Sequence, residues 1–447
     1  MFTPMACFKE ERKMYKFFEP KRLLIFTLVF SVGTNVFAKN LSLEQATILA
    51  LKKSENIEQY ALDIEMAKEQ IEEAYASLYP QVSAEIQGIR HTKAPVLQFN
   101  GTSVPVRQDW ELLSSLTLNQ IVYSFGRVGS ALKIAKLSNK VQIKAKQIAE
   151  REIRQAVEVA YYNAILAKSI LDISEDSLSN ARKNQKALQK RFQGGRVPRL
   201  DNLRMESEIA ARKPSVSNAT KNLKLAYLQL NLLTGLPINT NPVLTSHLGS
   251  SFKKLSESQL ISKAKEAPQV ELAQLSVDLA SKQMEIEESY HYPTISAFGN
   301  ASHSGTGDEM PPRDENLFTS VSVGLAINIP IYEGGAVVSR TRQKAIEKRR
   351  AEVAKQRVIE QTDVELLSNV QEYNTGLERL SAAKEAVRLS KQAYELTRTR
   401  YETGGVTRND LNDSERSLTA ARIEVESIKF GLLQNKSIIK RITEEVE

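Results

Sequence analysis

The chain writes nearly the same pattern twice, and each copy joins a short strand-like stretch to a helical run with almost no glycine or proline. In the first copy, Ile121-Val122-Tyr123-Ser124-Phe125-Gly126 opens a run that ends at RFQGGRVPRLD, Arg191 to Asp201. In the second, Ile331-Tyr332-Glu333-Gly334-Gly335 opens a run that ends at RYETGGVTRND, Arg400 to Asp410. Tyr123 and Tyr332, Phe192 and Tyr401, and Asp201 and Asp410 are all 209 residues apart, so the two helical runs have equal length. A run such as Ser130 to Gln193, with neither glycine nor proline, reaches roughly 96 Å as a helix at 1.5 Å per residue. From Ala336 to Thr403 only Gly376 intervenes. Those lengths exclude an ordinary globular domain.

Each long helix is followed by a partner, Arg199 to Thr234 and Thr407 to Glu445, and Pro214 is expected to kink the first of them. Apolar positions such as Ile143, Ala145, Ile148, Ala149, Ile153 and Val157 form narrow, alanine-rich stripes, the mark of helix-on-helix seams. Ahead of them, Leu41 to Ser54 reads as a helix capped by Ser42 with Gln45 as its capping-box partner, and a second helix runs from Glu55 toward Leu78.

Four stretches alternate with period two. Val82, Ala84 and Ile86 oppose Ser83, Glu85 and Gln87, and Leu112, Leu116 and Leu118 oppose Ser115, Thr117 and Asn119. The second copy supplies Thr294 to Ser302 and Phe318 to Ile331, where Val321, Val323, Leu325, Ile327 and Ile329 share one side against Ser320, Ser322 and Asn328. Long polar loops, one with Pro95, Gly101 and Pro105 and one from Gly305 to Asn316, join the pairs. These lengths suit tilted strands that cross a bilayer, at roughly 9 to 11 residues each. Four such strands cannot close a barrel, and open edges in lipid would leave backbone groups unpaired, so the chain must oligomerise.

The first 38 residues read as a secretion signal: Lys16, Lys21 and Arg22 precede the apolar run Leu23 to Val32, with Val36 and Ala38 before the expected cleavage point. Cys7, the one cysteine, lies inside it, which leaves the mature chain without a disulfide, a thiol nucleophile or a lipidation site. The net charge of +8 is spread in mixed order, as in Lys344 to Glu352, so nucleic-acid binding is not expected. None of His91, His247, His291 and His303 is in a zinc-like spacing or near a glycine-flanked serine, and no phosphate-cradling glycine loop is found, so no enzyme, cofactor or metal site is expected. His91 and His303 flank the two outer loops and could meet at the rim, although solvent-exposed loop histidines are the favoured reading.

From LSLEQATILALKKSENIE at Leu41, through AYASLYPQVS and the repeated R[FY]xxG motif, to LLTGLP at Leu232 to Pro237, the chain resembles the TolC-type outer-membrane factor family. The order and duplication of these motifs carry the resemblance, since each alone is weak. It implies a mainly α fold with membrane β: a homotrimer whose chains give four strands each to a twelve-stranded outer-membrane β-barrel, continued by a long periplasmic α-helical barrel. It divides the mature chain into two repeats, 39–240 and 241–447, with an equatorial belt near Asn239 to Leu260, the first helix and the C-terminal end. The implied role is a passive exit duct in the outer membrane of a Gram-negative bacterium, serving drug efflux or type I secretion. Its partners would be outer-membrane lipid, a periplasmic adaptor (membrane fusion protein) and an inner-membrane pump of the RND, ABC or MFS class. A periplasmic coiled-coil adaptor or structural protein without a pore is the alternative, although it would not need lipid-facing strands or a duplicated hairpin.

The resemblance also locates a gate. The tip turns are Gly194-Gly195 and Gly404-Gly405, and the family's tip motif aligns Asp410 and Asp413 with acidic residues at the narrowest point. Three chains would stack these carboxylates into two rings that favour cations; that Asp410 merely caps its helix is the lesser reading, and the two are compatible. Tyr401 aligns with a tyrosine that holds the tip shut by bonding to an acidic residue, here Asp201. Val406 stands where well-known relatives have an arginine and Leu200 where its hydroxyl partner would be, so that second restraint is absent or replaced through Arg408 or Arg199.

Overall fold

A computed structural model describes residues 40–93, 96–105, 108–194, 198–249 and 251–444. The expected signal segment with Cys7, and Gly195 of the first tip turn, lie outside the described residues. In chain order the elements are β1 (Asn40–Leu41), α1 (Leu43–Lys53), α2 (Glu55–Ala76), β2 (Gln81–Arg90), β3 (Val96–Phe99), β4 (Thr102–Pro105), β5 (Trp110–Tyr123), α3 (Arg127–Gln193) and α4 (Arg199–Thr234). There follow β6 (Val243–Leu244), α5 (Glu257–Ala264), α6 (Pro268–Ser289), β7 (Thr294–Gly307), β8 (Leu317–Asn328), α7 (Ala336–Thr403) and α8 (Arg408–Thr443). No helix among the described residues is long and apolar enough to cross a membrane.

β2, β5, β7 and β8 form one antiparallel sheet in that order, so β2 and β8 are its edges. The register joins the apolar residues into one face: Val82 lies across from Leu118, Ala84 from Leu116, Ala301 from Val321 and Ile295 from Ile327. That face is open, with Ile86 76% and Val323 82% exposed. The opposite face carries Ser83, Glu85, Thr117, Asn300 and Ser322, and Asn300 donates to the Thr117 hydroxyl at 3.1 Å. A sheet dry on one side and polar on the other is the pattern of a barrel wall between lipid and water.

The strand ends differ from the sequence reading in instructive ways. β7 runs five residues beyond Ser302, through Gly305 and Gly307, because the partner backbone comes close: a Cβ on Gly305 would stand 2.0 Å from the Asn316 carbonyl oxygen. β8 stops at Asn328 rather than Ile331, since Pro330 has no N–H for the ladder. The first outer loop holds an additional hairpin, β3 to β4, turned by Asn100 (φ 45°) and Gly101 (φ 81°), both in the left-handed region that a two-residue turn requires. His91 and His303 do not meet: His91 Nε2 lies 2.9 Å from Glu111 Oε2, and His303 Nδ1 lies 3.0 Å from the Thr319 hydroxyl.

The helices keep the expected symmetry, with α3 and α7 at 67 and 68 residues and α4 and α8 at 36 each. α7 passes Gly376 unbroken because the missing side chain admits Leu432 of α8, 2.9 Å from where a Cβ would be. α4 likewise continues through Pro214. The Ser42–Gln45 capping box forms as read. Beside the middle of α3, β1 pairs with β6, and the fully buried Tyr161 donates its hydroxyl to the Leu41 carbonyl at 2.8 Å. Around it, Val157, Ala160, Ala164, Leu223 and Leu230 close one core, while Leu366, Val370, Tyr373, Leu432 and Ile439 close its counterpart in the second half.

Tyr161→Phe removes the α3 hydroxyl from the Leu41 carbonyl, which keeps the Thr245 N–H at 3.3 Å, and is expected to cost about 0.5–1.5 kcal/mol. Faster proteolytic removal of residues 40–53 in the folded protein, relative to wild type, would register that loss.

Candidate functional site

The tips are where α3 turns into α4 and α7 into α8. In the second hairpin, Gly404 is left-handed (φ 85°) and its N–H reaches the carbonyls of Arg400 and Tyr401, while the Gly405 N–H bonds the Arg400 carbonyl at 2.8 Å. This satisfies carbonyls that the helix end would otherwise strand. In the first hairpin, Gly194 closes α3 differently, at φ −82°, with its N–H on the Lys190 carbonyl at 3.3 Å.

Thr407 caps α8 and Asp410 completes a capping box. The Asp410 N–H donates to the Thr407 hydroxyl at 3.2 Å, and the Asp410 carboxylate accepts from the Thr407 N–H at 2.8 Å and hydroxyl at 2.6 Å. The Thr407 hydroxyl, then its N–H, hold the Asp410 carboxyl below the ordinary aspartate range. A depressed folded-state value means the cap is at full strength at neutral pH and is lost only as acid protonates that carboxylate. Asp413 lies one turn further along α8, exposed.

Tyr401 is half-buried, with the Arg191 guanidinium 5.8 Å from its ring centre. Arg191 also donates to the Tyr401 carbonyl at 3.3 Å and to that of Glu402, tying the end of α3 to the end of α7. Burial pushes the Tyr401 phenol up; Arg191 opposes this and Asp201 adds to it. The structure therefore brings Asp201 within electrostatic reach of Tyr401, while no hydrogen bond joins the two among the described residues.

Sequence reasoning missed the polar cluster just above the tip. Arg212 of α4 donates to Glu415 Oε1 at 2.8 Å and Oε2 at 3.1 Å, to Glu208 at 2.6 Å, to Asn412 at 3.0 Å and to the carbonyl and hydroxyl of Ser177, both at 2.9 Å. Arg408 of α8 crosses in the other direction to Glu208 at 2.8 Å. The cluster thus ties α3, α4 and α8 together, and Glu415 keeps only 5% of its side chain exposed. Burial works against charge on Arg212, but the Glu415 hydrogen bond and the charges of Glu415 and Glu208 outweigh it. Arg408 is one of the two arginines expected to replace the missing restraint, and its partner is Glu208; Arg199 is exposed. The i, i+4 pair Glu208–Arg212 was the one local signal, and it gave no hint that α8 lies opposite.

A lipid-facing sheet sector continued by helical hairpins about 100 Å long defines the class of outer-membrane channels. The outer membrane efflux protein family model matches residues 48–236 and 260–437, and the chain belongs to that family. It is 25% identical to outer membrane protein TolC of Escherichia coli over 401 residues, covering 85% of this chain and 77% of that protein. With the proteases secretion protein PrtF of Dickeya chrysanthemi it shares 22% identity over 429 residues, 93% of this chain and 90% of that one. Its fold matches the Vibrio cholerae outer membrane protein VceC with a TM-score of 0.76 at 16% identity, over 90% of this chain and 95% of that chain. The Campylobacter jejuni CmeC outer membrane channel gives a TM-score of 0.77 at 15% identity, over 90% and 85%. The protein is thus an outer-membrane channel of the efflux and type I secretion class, from a Gram-negative bacterium.

Arg212→Ala would leave the buried Glu415 carboxylate without its counter-charge. Because the site opens onto a solvent-filled groove, a loss of about 2–3 kcal/mol is expected. Amide exchange in α4 and α8 near the tip should quicken, with exchange in the sheet unchanged.

Proposed function

We propose that three copies of this chain close into one duct, a twelve-stranded barrel above a helical tunnel, through which an energised inner-membrane pump of the RND, ABC or MFS class expels cargo. The observation that carries this is the four-stranded sheet with unpaired edges β2 and β8, an apolar outer face and helices running on directly from its strands. In lipid those edges must find partners, and copies of the same chain supply them. The duct itself is passive. A periplasmic adaptor would dock its helical hairpins against the tips and draw them apart, as the relationship to efflux and secretion proteins suggests.

We assign the narrowest point to Asp410 and Asp413, stacked as carboxylate rings around the axis. Tyr401 and Asp201 are assigned to the closing side of the gate, as are the turns at Gly194, Gly195, Gly404 and Gly405. Asp410 also closes the α8 cap, so its replacement mixes gating with helix stability. Asp413→Asn is the cleaner variant. In a planar bilayer, wild type is expected to give a small cation-selective conductance, and Asp413→Asn to reduce the cation preference with trimer stability unchanged. Unaltered selectivity would move the constriction away from α8. Tyr401→Phe should raise basal conductance, and an unchanged value removes Tyr401 from the gate.

A further inference from the structure

The apolar face of the sheet has an aromatic residue at each border. At the end from which the helices run, Tyr123 lies across from Ile295 on that face and meets Phe125 edge-on, with ring centres 4.7 Å apart; Phe125 in turn stacks on Tyr292 at 5.1 Å. At the opposite end stands Trp110, the one tryptophan of the chain, across from Arg90 of β2 and Gly307 of β7. Alternation along β5 puts Trp110 on the same face as Leu112, Leu116 and Leu118. Trp110 and Tyr123 are thirteen residues apart. At about 3.3 Å per residue and a tilt of roughly 40°, that is about 33 Å along a barrel axis, close to the thickness of a hydrocarbon core. Trp110 therefore marks the outer border of the bilayer.

The Arg90 guanidinium lies over the Trp110 ring, 5.5 Å from its centre. Arg90 is exposed, and among the described residues it forms no ion pair and no side-chain hydrogen bond. Glu111, the carboxylate next to Trp110, is on the other face of β5 against His91, so it does not neutralise Arg90. The second outer loop folds onto the apolar face on both sides of Trp110. A Cβ on Gly307 would stand 3.0 Å from the Pro312 Cα, and one on Gly88 would stand 2.6 Å from the Met310 methyl. The outer border is thus an apolar floor with one cation held flat above it. An arginine stacked in this way keeps its edge N–H groups for an outside acceptor, a planar fork that fits two oxygens of a phosphate.

We propose that Arg90 and Trp110 form a binding site for the phosphorylated glycolipid of the outer leaflet, with Arg90 taking the phosphate on its head and Trp110 and Met310 the start of its acyl chains. This rests on the apolar face meeting lipid and is independent of how many copies close the duct. The depth of the site selects the lipid over a free anion, because a cation at the border of the hydrocarbon meets head groups, and the floor beside it suits a ligand that carries chains.

Trp110 reports on its own site. The full-length protein, extracted from outer membranes in detergent, is titrated with bisphosphorylated lipid A while tryptophan emission is followed. A saturable change is expected in wild type. Arg90→Gln should weaken binding about tenfold or more, the worth of one charge-assisted contact, with Arg90→Lys in between. Arg313→Gln, in the second outer loop but paired with Glu309, should bind as wild type does. Each variant should keep wild-type conductance in a planar bilayer, which separates a lost site from a lost fold. Equal binding of lipid A stripped of its phosphates, or an Arg90→Gln titration that matches wild type, would overturn the site. The same emission change with inorganic phosphate alone, at the same concentration, would overturn the lipid as its ligand. A loss in Arg313→Gln as large as that in Arg90→Gln would overturn the assignment to Arg90. No response to lipid A from protein that conducts would remove the site and leave the duct standing.

Discussion

A backbone amide in hydrocarbon has no water to turn to, and this requirement shapes everything else in the chain. Four strands satisfy one another internally and leave a row of donors and acceptors on β2 and on β8. The cost of several kcal/mol for each unpaired group exceeds anything the side chains on that edge could return. The apolar outer face only has a use if the edges are covered, and the edges are covered only by further strands of the same kind. Assembly is thus the condition under which the sheet can occupy a membrane.

Below the sheet the problem changes from hydrogen bonding to packing. The helices satisfy their own backbones, so their stripes are left to decide who neighbours whom. Alanine-rich positions such as Ala160 and Ala164 let α3 approach its partners closely, and Gly376 does the same for α7 against Leu432. Tyr161 pins the short parallel pair β1–β6 against the middle of α3, so a segment with almost no core of its own is held by one buried hydroxyl and the apolar cluster around it.

Much of this could be read from the sequence because it is repeated and periodic. The matching helix lengths followed from a constant interval, and the strand faces from alternation between Val82 and Gln87 or Val321 and Asn328. What escaped was whatever depends on a neighbour distant in sequence. Gly305 and Gly307 look like loop residues until the opposing backbone is seen pressing against them. The β3–β4 hairpin was marked by Asn100-Gly101, but its flanking prolines suggested irregular loop. Glu415 and Arg212 are 203 residues apart, so nothing local announced their pairing.

That pairing bears on how a tip of this kind can move. Arg212 holds α3, α4 and α8 through one planar group, and Arg408 crosses back from α8 to the Glu208 that Arg212 also binds. An outward slide of α8 would stretch the bonds from Arg212 to Glu415 and Asn412 and from Arg408 to Glu208 together, and would take from Glu415 its counter-charge. α8 therefore cannot part from α4 without giving up several charge-assisted bonds at once, so the stability of the tip is concentrated in one polar cluster and not spread along the hairpins.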